Sequence, residues 1–155
     1  MSIISVIGSR YEHLPDVLRQ YDEDIDAAVS RVSLKGKLLG KANEEQAGWL
    51  MYYESRRVEM KALVKFFEVQ VAATRGKLFR QYTEQSSREL SDRAKEKYID
   101  HDKEYININS MLIEVEETYE KLSAIVEAIK ARGFSLRNLT DIAVNQPTDY
   151  TIYEQ

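Results

Sequence analysis

The chain has 155 residues, a hydrophobic fraction of 43% and a formal net charge of −4. That length fits one domain, or one long-helix protomer of an assembly. The absence of cysteine excludes a disulfide framework, a thiolate nucleophile and a zinc–thiolate site, and the acidic sum argues against a chain that is basic all over.

Residues 1–14 read as an N-terminal arm. Ile3, Ile4, Val6 and Ile7 make its start apolar, but it has no basic leader region and is too short to span a bilayer. A loose arm or strand that docks on a neighbour is expected, in a chain of cytoplasmic placement. Leu14, Leu18, Tyr21, Ile25, Ala28, Val29 and Val32 then follow helical spacing, and Pro15 suits a first helical turn. A helix is predicted from Pro15 to Ser33. Leu34 to Gly40 reads as a connector. Ala42 to Tyr82 is one long helical pattern, interrupted weakly at Gly48 and Gly76, each costing roughly 1 kcal/mol against Ala. Thr83 to Ser91 is polar and serine-rich, the expected hairpin turn.

Asp92 to Arg132 reads as the second long helix. Its apolar ladder is Ile108, Leu112, Val115, Tyr119, Leu122, Val126 and Ile129, a heptad pattern that asks for another helix against it. The Lys130-Ala131-Arg132-Gly133-Phe134 run looks like a helix end, with Gly133 left-handed past it. Ser135 would cap a short terminal helix over Leu136 to Val144, and residues 145–155 form a polar tail. The fold expected over 15–144 is a single all-α domain, a long antiparallel helical hairpin with short flanking helices. Met60, Leu63, Val64, Phe67, Val71 and Leu78 gather on one helix face, while Val58, Phe66, Val69 and Ala73 lie outside it. Such surplus apolar surface, with the ladder, predicts a homo-oligomeric bundle, its protomers packed side by side and held by the ladder residues and Phe134.

Charge is unevenly spread. From Arg56 to Arg80, seven cations face Glu59 and Glu68, a local +5; from Asp100 to Ile129, eight carboxylates face Lys103 and Lys121, a local −6. Cations at helical spacing can track phosphates, and Tyr52, Tyr53, Phe79 or Tyr82 could offer faces to bases. A solvated helix face with core aromatics is the plainer reading of the same residues. The run Asp22-Glu23-Asp24 with Asp26, and the Asp100-His101-Asp102 cluster, could be drawn as metal sites. With only His13 and His101 in the chain and no Glu-x-x-His pair, a solvated surface accounts for them better. No phosphate-binding glycine loop or Ser–His–acid set stands out, so neither catalysis nor a cofactor or metal is expected.

Ala128-Ile129-Lys130-Ala131-Arg132-Gly133-Phe134-Ser135-Leu136-Arg137-Asn138-Leu139-Thr140-Asp141-Ile142 resembles the C-terminal signature of the phage UvsY-type recombination mediators. Ala73-Thr74-Arg75-Gly76-Lys77-Leu78 is similar to a second element of that family, whose two basic residues carry DNA binding. The resemblance implies a non-enzymatic mediator in the host cytoplasm, a ring of six or seven protomers. It would bind single-stranded DNA through the sugar-phosphate backbone, displace a single-strand-binding protein and load a RecA-type recombinase. The binding residues expected are Arg57, Lys61, Lys65, Arg75, Lys77 and Arg80. The rival reading is a structural or scaffolding coiled-coil protein with no nucleic-acid role.

Overall fold

The computed structural model describes residues 3–8, 11–86 and 89–145. It is all-α, with no strand among these residues. The helices are α1 (Ile3–Ile7), α2 (Leu14–Val32), α3 (Leu39–Glu84), α4 (Asp92–Asp100) and α5 (Lys103–Asn145), with a 3-10 turn at Tyr11–His13. By internal contact the chain divides into two compact units. Unit 1 is Met1–Leu14 with Met60–Glu117, and unit 2 is Pro15–Glu59 with Thr118–Gln155. The predicted polar tail lies outside the described residues beyond Asn145.

In unit 1 the start of the chain is neither strand nor loose arm. α1 buries Ile7, and Tyr11 packs its ring 5.7 Å from Phe67 and donates to Gln70 Oε1 at 3.1 Å. Tyr11, just after α1, thus finds its partners in the chain's own α3. Ile7, Leu14, Met60, Leu63, Phe67, Leu78, Ile99, Ile108 and Val115 form the core of this unit. α3 runs unbroken through Gly48 and Gly76. The buried stripe it presents outweighs the roughly 1 kcal/mol that each glycine costs.

The predicted second long helix is two helices. Ser91 caps α4, its hydroxyl accepting from the Ala94 amide. His101 ends α4, and Asp102 starts α5 by accepting from the Glu104 amide at 2.8 Å. The acidic cluster at 100–102 is therefore a helix boundary. No group of metal-ligating residues occurs there or elsewhere among the described residues.

Unit 2 is built on α2, the first half of α3 and the second half of α5. Leu18, Tyr21, Ala28, Ala42, Tyr53, Leu122, Val126, Ile129 and Leu136 are its buried apolar residues. α3 and α5 run antiparallel here, with Asn43 bonded to Thr140 and Gln46 to Arg132. Gly36, at φ +70°, makes the left-handed turn before α3 that an L side chain resists.

α5 continues through Gly133, contrary to the predicted stop and the predicted cap at Ser135. The reason is packing. Ile129, Arg132 and Leu136 keep the buried spacing across the glycine. A Cβ on Gly133 would sit 2.9 Å from Gln46 Nε2, so the missing side chain leaves room for the Gln46 amide against α5. Gln46 there donates to the Ile129 carbonyl at 2.7 Å and accepts from Arg132 at 2.6 Å.

The ladder is filled within one chain. Ile108, Val115, Leu122, Val126 and Ile129 are buried, and Leu112 and Tyr119 are half-buried. A fully buried side chain has no surface left to give to a second copy, so those five residues are core, whereas Phe134 is 65% exposed. Leu122→Ala should accordingly cost about 2–5 kcal/mol of unfolding free energy, read as a lower urea midpoint at unchanged slope. An unchanged midpoint would return Leu122 to the surface.

Candidate nucleic-acid interface

The six cations expected to bind DNA all lie on α3, and their surroundings divide them. In unit 2, Arg57 is held by Glu54 one turn away, and that hydrogen bond, against the cost of burial, raises its basicity further. In unit 1, Lys61, Lys65 and Arg80 are exposed and make no ion pair among the described residues. At 3.6 residues per turn they fall within about 100° of one another and span about 28 Å of helix.

Arg75 and Lys77 behave otherwise. Two residues apart, they project about 200° apart around the helix, one on each flank of the buried stripe. Arg75 reaches Asp100 at 3.6 Å and Glu96 at 4.0 Å, and its guanidinium lies over the Tyr105 ring at 5.7 Å. Lys77 bonds both oxygens of Glu104, at 2.8 and 2.9 Å. The acidic residues of α4 and α5 thus fold back on the basic pair. Exposed pairs of this kind are worth about 0–1 kcal/mol each, so a phosphate can take either cation. Each exchange, however, leaves a carboxylate beside the strand.

The aromatic candidates are also sorted. Tyr53 is fully buried, and Phe79 lies under Lys95 at 5.0 Å. Tyr82 donates to Asp102 at 3.2 Å and stacks on Tyr98. Tyr52 donates to Asp24 at 2.6 Å.

That last contact belongs to a polar cluster in unit 2 that spacing alone left as solvated surface. Asp24 is buried. Its carboxylate accepts from Tyr52, from Arg56 Nε at 2.9 Å and Nη2 at 2.8 Å, and from Arg31 at 3.3 Å. Tyr53 donates to the Asp24 carbonyl at 2.7 Å and accepts from Arg31 at 2.9 Å. Arg31 sits over the Trp49 ring at 4.8 Å, and Arg56 over Tyr21 at 4.1 Å. Tyr21 donates to Glu59 at 2.7 Å, and its burial and this bond push its hydroxyl far above the usual phenol range. The signal was Asp24's place on the stripe of Leu14, Leu18, Tyr21 and Ala28, where a charge must have a partner. Cations and rings are gathered here as a ligand site would gather them, but the two guanidiniums and the tyrosine hydroxyls are bonded to the cluster's own oxygens, and only the Trp49 indole N–H has no partner among them. The cluster is a joint between α2 and α3.

Unit 2 also bears an apolar groove of about 550 Å³ between α2 and α5, lined chiefly by Ile25, Val29, Val32, Ala124, Ile125 and Ala128.

Burial pushes the Asp24 carboxyl up, but the hydrogen bonds from Tyr52 and Arg56 and the guanidinium charges outweigh it and hold the group below its ordinary range. A depressed carboxylate stabilises the fold above its unfolded value of about 3.9 and loses that contribution as pH falls through the folded value. Asp24→Asn should cost about 2 kcal/mol at neutral pH, because it removes the charged partner that two half-buried guanidiniums share. The gap to the parent protein should close below about pH 3.9. Urea midpoints of both proteins across that range test this, and a pH-independent gap would refute it.

No protein-family model matches the chain, and no match is found among curated proteins or solved structures, so the functional reading rests on residues and geometry.

Proposed function

We propose that this protein is a non-enzymatic recombination mediator of the phage UvsY type. It binds single-stranded DNA and promotes loading of a RecA-type recombinase in place of a single-strand-binding protein. The observation that carries the reading is the exposed row Lys61, Lys65 and Arg80, cations without ion pairs among the described residues in an otherwise acidic chain. The resemblance of Ala128 to Ile142 to the mediator signature supplies the class.

In this reading the free row makes the first phosphate contacts. Arg75 and Lys77 follow by exchanging Glu96, Asp100 and Glu104 for phosphate. Self-association into a ring multiplies a weak patch into tight binding. Phe134 and the α2–α5 groove are apolar surface left for that contact. No helix among the described residues is long and apolar enough to cross a membrane, and the partners proposed are DNA, the recombinase, the single-strand-binding protein and further copies of this chain. One observation favours the scaffold reading instead: the basic pair is already neutralised within the chain.

Affinity for a fluorescent oligonucleotide across a salt series, with duplex as control, separates the two. The mediator binds the single strand in preference and loses affinity steeply with salt. Replacing Lys61, Lys65 and Arg80 together by Ala should make the slope shallower by about 2, at about 0.7 per phosphate contact. Absence of binding at low salt, in a protein of native mass, would leave the scaffold.

A further inference from the structure

α4 carries three carboxylates, Asp92, Glu96 and Asp100, against three cations, Arg93, Lys95 and Lys97, and is neutral in sum. Its charges are sorted by face. Glu96 and Asp100 turn toward Arg75 of α3. Lys95 bonds Asp92 at 3.2 Å and lies over Phe79, and Ile99 is buried. Ala94, Lys97, Tyr98 and His101 fall at helical spacing on a further face, while Arg93 lies on the side of Glu96 and Asp100. Among the described residues, the lining of a groove of about 420 Å³ is Ala94, Lys97, Tyr98 and His101, with no carboxylate.

Tyr98 is 53% exposed, and it is held. Its ring stacks on Tyr82, centroids 5.8 Å apart and planes 28° apart, and Tyr82 is fixed in turn by its bond to Asp102. His101 is fixed by its Nδ1, 2.8 Å from the Lys97 carbonyl. A pre-positioned ring loses little side-chain freedom when a ligand stacks on it.

We propose that this outer face of α4 is a base-stacking site for single-stranded DNA, in which Tyr98 takes a nucleobase and Lys97 meets a flanking phosphate. The inference rests on the single-strand-binding reading and adds a second element to it. Charge complementarity selects an anionic ligand, and the backed aromatic ring selects one with planar groups. An acidic peptide would use the cation and leave the ring idle. Stacking on one aromatic side chain is sequence-tolerant, as a mediator that must load any sequence requires.

The test compares two fluorescent probes of equal length, an oligothymidylate and an abasic deoxyribose-phosphate strand. The parent protein should bind the thymidylate more tightly. Tyr98→Ala should weaken thymidylate binding on the order of tenfold and leave abasic binding unchanged, so that the preference vanishes. Tyr98→Phe should retain it, and Lys97→Ala should weaken both probes and lower both salt slopes by about 0.7. A parent protein that binds neither probe removes the single-strand reading and this site with it. A parent that binds while Tyr98→Ala keeps the full preference overturns the site and leaves the reading standing. Polyglutamate binding that depends on Tyr98, in place of DNA binding, also overturns it.

Discussion

One buried carboxylate organises unit 2. Taking an aspartate out of water costs several kcal/mol unless its oxygens are fully engaged, and Asp24 is engaged by two guanidiniums and a phenol. Those donors come from α2 and α3, so the bonds form only when the two helices lie in one register. Tyr21, Trp49 and Tyr53 close around the cations, which limits water and strengthens every charge interaction inside. The joint has a second effect. It removes Arg31 and Arg56 from the charge available to a ligand.

The same logic runs through unit 1 with weaker bonds. There the pairs are exposed, and salt or phosphate can compete for them. Net charge and linear charge runs therefore describe the surface badly. The local +5 of the sequence is distributed among a half-buried clamp, neighbouring carboxylates and three open cations. In the proposed function the open row would engage first, and the paired cations would respond to a ligand strong enough to displace their carboxylates. That fits a mediator, which must hold a strand and also give it up.

Much of the helical content is legible in the sequence, because periodic apolar residues and scarce breakers leave few alternatives. α2 and α3 match the predicted spans within a few residues. The boundary at His101-Asp102 was missed because neither residue is a strong breaker. Its signal was Asp102, a good N-cap residue, which drew notice as a possible metal ligand. Gly133 misled in the opposite direction, since glycine past cationic residues looks like a helix end until the packing of Ile129, Arg132 and Leu136 is known. The ladder's spacing marks burial correctly and says nothing of whose helix covers it. The pairing of Arg75 with Asp100, and of Lys77 with Glu104, joins residues 25 and 27 apart and could not be read from local pattern.

In the proposed function, internal pairing leaves a defined cationic surface in unit 1 for a single strand. Photocross-linking of a thymidylate oligonucleotide to the intact protein, with the attached peptides mapped by mass spectrometry, tests it most directly. The account predicts adducts on peptides carrying Lys61, Lys65 and Arg80, with a further adduct on α4, and none on the Asp24 joint. Adducts confined to α2, or to the groove between α2 and α5, would contradict it.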